Sequence, residues 1–162
     1  MRRMRILYGV VGEGMGHATR SCVILRHLVE RHDVQIVGSG RAHAFLKQTF
    51  PQLEVHEIAG LAMVYEDNEV RKWRTLKQNL KGALSDSGWP ENIRAYVEIA
   101  DRFEPDVVIS DFESWSYLFA QRHGLPVVSV DNMQIINRCA HAPDLLEGVE
   151  DDFRLTNAIV KA

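Results

Sequence analysis

Short apolar runs alternate with amphipathic stretches along most of this chain. Met4 to Val11 is rich in branched residues and bounded by glycines, which predicts a buried strand. In Gly12-Glu13-Gly14-Met15-Gly16-His17, three glycines in five positions predict a loop. Cys22, Leu25, Leu28 and Val29 then recur at helical spacing, predicting a helix from about Thr19 to Arg31 with Thr19 as its N-cap. The alternation repeats. Val34 to Val37 reads as a second strand ended by Gly38-Ser39-Gly40, Ala42 to Thr49 as a short helix, and Leu53 to Ile58 as a third strand. Val70 to Leu84 and Pro90 to Phe103 are helical stretches separated by Ser85-Asp86-Ser87-Gly88. Asp106 to Ser110 is a fourth strand, Ser114 to His123 a helix closed by Gly124, and Val127 to Val130 a fifth strand. Pro143 to Asp152 is acidic and irregular, and Phe153 to Ala162 is helical.

Strands alternating with helices predict an α/β fold, a doubly wound (Rossmann-like), mainly parallel sheet with helices on both faces. The expected organisation is a Rossmann-like domain over 1–142, followed over 143–162 by an acidic loop and a helix. A closing helix with no strand after it leads to the expectation that this chain is one part of a larger unit.

Composition narrows the function classes. Of 162 residues, 46% are hydrophobic and 25% charged, ordinary for a globular domain and unlike a disordered or fibrous chain. Nineteen basic residues against 22 acidic ones leave a net charge of −3, which argues against a nucleic-acid binder. Cys22 and Cys139 form neither a CxxC nor a metal pattern, and Asp151-Asp152, adjacent in an acidic loop, is no Asp-x-Asp metal motif at a strand end. No metal site is therefore expected. No apolar run approaches the roughly 18 residues of a membrane span, and the basic start is followed by too short an apolar stretch for a signal peptide. The expectation is a cytoplasmic protein. One stretch qualifies it: Val70 to Lys81 carries five positive charges and no acid, with Trp73, Leu76, Leu80 and Leu84 on one helical face. Either this is a surface helix packing its apolar stripe on the sheet, or residues 70–84 lie peripherally on the anionic inner face of a membrane.

In a doubly wound sheet, ligands bind outside the carboxyl ends of the strands. Topology therefore predicts that His17, Asp111 and Asp131 face one crevice. A dinucleotide fingerprint fits poorly: the third glycine stands one position early, and Gly38-Ser39-Gly40-Arg41 replaces the ribose-binding acid, although Arg41 could meet a 2′-phosphate. No Lys-Ser/Thr follows the glycines, which excludes a Walker loop. The glycines either turn the strand tightly into the helix or admit a ligand to the backbone N–H groups at the helix mouth. His17 is a candidate general base at physiological pH, and Asp111 could fix its tautomer; a solvated histidine and a helix-capping aspartate are the structural alternative.

The segment Gly-Glu-Gly-Met-Gly-His-Ala-Thr-Arg after the first strand resembles the opening of GT-B glycosyltransferases, among them the GlcNAc transferase of the lipid-linked peptidoglycan precursor and the UDP-glycosyltransferases. Pro105-Asp-Val-Val-Ile-Ser-Asp-Phe-Glu113 and Gly124-Leu-Pro-Val-Val-Ser-Val-Asp-Asn132 look like uncharacterised prokaryotic glycosyltransferase-like proteins. The resemblance runs from about Met4 to Asn137. It implies the N-terminal, acceptor-side half of a GT-B enzyme that moves a sugar from a nucleotide-sugar donor such as a UDP-sugar to an acceptor hydroxyl with inversion. His17 would be the base and Asp111 its partner, with Gly12, Gly14, Gly16 and Thr19 near the substrates and Glu113 and Asn132 on the rim. No cofactor is implied beyond the donor substrate. The acceptor could be a sugar, a lipid-linked molecule or a small molecule. The family's donor-binding second domain has no counterpart here, so a missing C-terminal domain or partner subunit is implied, and the fragment alone is expected to be inactive. Three rivals stand beside this reading: a non-catalytic acceptor-binding subunit of a split glycosyltransferase, a UDP-sugar 2-epimerase, and a dinucleotide-binding domain.

Overall fold

The computed structural model describes residues 2–12, 14–60, 65–66, 69–70, 89–130 and 134–161. The chain divides into two compact units, Met1–Val130 and Asp131–Ala162.

In the first unit, β1 (Arg5–Val10), α1 (Met15–Leu28), β2 (Asp33–Gly38), α2 (Gly40–Thr49) and β3 (Val55–Glu57) succeed one another. After a two-residue antiparallel ladder of β4 (Tyr65–Glu66) and β5 (Glu69–Val70) come α3 (Trp89–Glu98), widened into a π-helical turn over Ile99–Phe103, then β6 (Val107–Asp111), α4 (Ser114–His123) and β7 (Val127–Ser129). Five strands form one parallel sheet in the order β3-β2-β1-β6-β7, as the alternating pattern predicts. Val70, read from sequence as the start of a helix, pairs in the small ladder instead; the rest of that basic stretch, Trp73 included, lies outside the described residues.

Strand β1 is apolar on both faces because both are covered. Ile6, Tyr8 and Val10 pack with Ala18, Cys22 and Leu25 of α1 and Ala42 and Leu46 of α2. Leu7 packs on the opposite face with Val37, Val108, Ala95, Ile99, Phe119 and Ala120. Helix α4 sits so close to β1 that a Cβ at Gly9 would lie 2.1 Å from the Ser116 hydroxyl oxygen, so only glycine fits there.

The chain leaves β1 toward β2 and β3 on one side and returns to β6 and β7 on the other. The strand order therefore reverses between β1 and β6, the kind of switch point beyond whose carboxyl ends open α/β sheets bind ligands. Register places Asp111 beside Val10, and the Val11 N–H donates to the Asp111 carbonyl at 3.2 Å.

The second unit holds α5 (Gln134–Arg138), a 3₁₀ turn (Pro143–Leu146) and α6 (Glu150–Lys161). Within it the Asn137 amide donates to Asn157 at 3.0 Å, and His141 meets the Phe153 ring edge-on at 5.1 Å. The last helix starts at Glu150, three residues before the sequence pattern places it, and its first turn carries Glu150, Asp151 and Asp152. Acidic side chains suit the positive end of a helix dipole. Helix α5 was not anticipated.

Candidate active site at the β1–β6 switch point

Helix α1 begins at Met15, four residues earlier than the spacing of its apolar residues predicts. Gly16 and His17 thus belong to its first turn rather than to a loop. Thr19 is not the N-cap: its hydroxyl donates back to the carbonyls of Met15 at 2.9 Å and Gly16 at 3.1 Å, inside the helix. The cap position is Gly14, at φ +79, which offers no side chain to the helix N–H groups.

The three described loop glycines have different reasons to be glycine. A Cβ on Gly12 would fall 2.2 Å from the Ser39 hydroxyl oxygen, so that residue serves packing. Gly14 needs the left-handed backbone that glycine adopts freely. Gly16 has helical backbone, and among the described residues nothing lies within 4 Å of a notional Cβ. Neither packing among the described residues nor backbone conformation requires glycine at position 16. Glu13 lies outside the described residues.

His17 and Asp111 meet. The His17 Nδ1 lies 2.7 Å from Asp111 Oδ1, with the carboxylate fully buried and the imidazole side chain 31% exposed. When Nδ1 carries the hydrogen it donates to this carboxylate and Nε2 keeps its lone pair; Arg20 Nη2 also lies 3.2 Å from Nδ1. The His17 ring also stacks beside Phe112, with centroids 6.3 Å apart and planes at 20°. Phe112 sits at φ +54, a left-handed conformation uncommon for a residue other than glycine.

Two neighbours escaped the sequence reading. Arg20 donates through Nε to Asp111 Oδ2 at 3.2 Å and through Nη2 to Oδ1, and Nη2 reaches the Val130 carbonyl at 3.0 Å. The Ser21 hydroxyl donates to Oδ2 at 2.9 Å. Three side chains of α1 thus converge on one buried carboxylate. Beneath them Tyr8 of β1 is wholly buried, and desolvation pushes its phenol up, keeping it neutral.

Glu113 is placed otherwise than the rim expectation has it. It is 3% exposed and caps α4, accepting from the N–H of Trp115 at 2.9 Å and of Ser116 at 2.6 Å. Burial pushes its carboxyl up, opposed by those backbone donors. Asp131 and Asn132 lie outside the described residues. Among the described residues no cluster of His, Cys, Asp and Glu could hold a metal ion, and no helix is long and apolar enough to cross a membrane.

With this geometry in place, comparison with known proteins is decisive at the level of family. The profile described as Glycosyl transferase family 1 matches residues 4–162. The chain belongs to that family. Among its relatives is an uncharacterized glycosyltransferase of Methanosarcina mazei, 31% identical over 127 residues that make up 76% of this chain and 32% of the relative. The chain thus spans about a third of that relative's length. Glycosyltransferases are also found among solved structures of like fold. The glycotransferase of kitacinnamycin aligns with a TM-score of 0.56 at 23% identity, covering 81% of this chain and 31% of that one. MurG of Acinetobacter baumannii gives 0.53 at 17% identity, covering 99% and 39%. The calicheamicin glycosyltransferase CalG4 gives 0.51 at 19%, covering 100% and 44%. At these identities the likeness establishes the α/β Rossmann-like fold of GT-B glycosyltransferases and leaves residue roles to the chemistry of this site.

Proposed function

We propose that this chain forms the N-terminal, acceptor-side domain of an inverting glycosyltransferase, with His17 as general base oriented by Asp111. The observation that carries the reading is the 2.7 Å contact between His17 Nδ1 and a fully buried Asp111 carboxylate at the strand-order switch.

The chemistry follows from the ring's two nitrogens. Asp111 accepts the Nδ1 hydrogen, so Nε2 takes the proton of the acceptor hydroxyl, whose own pKa lies far above neutrality. The hydroxyl oxygen forms a bond to the anomeric carbon as the bond from that carbon to the nucleotide diphosphate breaks. The bonding pair leaves with the diphosphate. Attack from the face opposite the leaving group inverts the anomeric configuration, and Asp111 steadies the imidazolium that forms. Gly16, open on its helix turn, lets a substrate approach the backbone, while Glu113 works indirectly by capping α4 and fixing the end of β6. Donor binding falls to a second domain or partner subunit, in keeping with a chain that spans about a third of its relative.

The test uses the full-length protein with a panel of UDP-sugars and mixed hydroxyl acceptors. Acceptor-dependent release of UDP, with a product of inverted anomeric configuration, is the expected result. Conversion of UDP-GlcNAc to its 2-epimer without acceptor would replace this reading with an epimerase. A protein that turns over nothing alone but forms a tight heteromer would make it an acceptor-binding subunit.

A further inference from the structure

Asp111 is the only fully buried carboxylate among the described residues, and each of its oxygens is used twice. Oδ1 accepts from His17 Nδ1 and Arg20 Nη2; Oδ2 accepts from Arg20 Nε and the Ser21 hydroxyl. Arg20 is the one formal cation in this set, and a guanidinium stays charged at any working pH. Its Nη2 also donates to the Val130 carbonyl just beyond β7, so the side chain ties together α1, β6 and the end of β7.

We infer that Arg20 is a positioning residue of this site: it holds Asp111 in a two-point grip and offsets its charge, so that the carboxylate orients His17 without drawing a proton onto it. The inference rests on the reading of His17 as a base. Without Arg20, a buried negative charge would be paired with a neutral imidazole and a hydroxyl alone. Such a charge favours the imidazolium, and a base that already holds its proton cannot take another. Of the titratable groups nearby, Tyr8 from β1 and Cys22 from α1 are pushed up by burial and Glu113 beyond β6 is an acid that caps α4, so none of these supplies compensating positive charge near neutrality. From β6 the next side chain is apolar Phe112, and from the end of β7 the contact is the Val130 carbonyl. The sequence spacing is consistent: residues 17, 20 and 21 share one helix face through i+3 and i+4 steps.

The test compares wild type, Arg20→Gln and Arg20→Lys in the full-length protein by two readouts. One is kcat/KM against pH for UDP-sugar transfer. The other is the NMR titration of the His17 imidazole with ¹⁵N-labelled histidine, assigned by its loss in His17→Gln. Arg20→Gln is expected to move both the acid limb and the imidazole titration to higher pH, with a severalfold loss below neutrality that shrinks in alkali. Arg20→Lys keeps the charge but only one point of the grip, so its acid limb stays in place while kcat falls severalfold. An unmoved imidazole titration in Arg20→Gln, with a loss equal at all pH values, would overturn the inference. Should Arg20→Gln not fold, Arg20→Lys decides: a displaced acid limb or an unchanged kcat sinks it. If the imidazole titration moves and the rate profile does not follow, Arg20 keeps its coupling to the pair and His17 loses its role as base.

Discussion

Asp111 and Glu113 are two residues apart and both buried, yet they serve different ends. In a straight strand they would share a face. Phe112, at φ +54, stands between them; Asp111 receives donors from α1 while Glu113 receives the first N–H groups of α4. One carboxylate is available to the site and the other is consumed by the fold. The difference is measurable. Because burial raises the Glu113 carboxyl above its unfolded value, the folded protein binds more protons there, and stability falls as pH rises from about 4.5. Glu113→Gln removes that titration. Chemical denaturation between pH 4 and 7 should give a wild type that loses stability relative to the variant as pH rises, superimposed on a constant cost of about 1 kcal/mol for the weakened cap. Parallel pH profiles for the two proteins would contradict the assignment.

At the scale of elements, the start of α1 matters most. Apolar periodicity first appears at Cys22, and three glycines argue against helix before it, which is why the sequence reading begins the helix at Thr19. The real start at Met15 puts His17, Arg20 and Ser21 on one face. Had the helix been drawn from there, the i+3 and i+4 partners of His17 would have been visible as donors to the same acid. The capping of α4 was legible in principle, since Glu113 directly precedes Ser114, but glutamate is not a usual capping residue. Gly16 supplies the test of the open helix mouth. Gly16→Ala introduces a Cβ that touches none of the described residues and favours helix, so stability is expected to hold or rise by about 0.5 kcal/mol. Transfer activity is expected to fall severalfold if a substrate meets the backbone there. A variant with unchanged kcat/KM would remove Gly16 from the substrate surface.

For the molecule as a whole, the strand order is what brings distant residues together. His17 and Asp111 are 94 positions apart, and their meeting was legible because alternating strands and helices imply a parallel sheet with one ligand-bearing end. Neither the charge balance of the carboxylate nor the Phe112 backbone was legible, for both arise from packing across elements rather than from any local pattern. The second unit carries its own internal contacts. Membership of glycosyl transferase family 1 and the buried pair at the switch point lead to one central claim, that the His17 imidazole takes the acceptor's proton. The most direct measurement is kcat/KM for UDP-sugar transfer by full-length His17→Ala, with folding checked by circular dichroism. The account predicts a correctly folded protein whose kcat/KM has dropped by about a hundredfold or more. A folded variant that transfers sugar at close to the wild-type rate would contradict it.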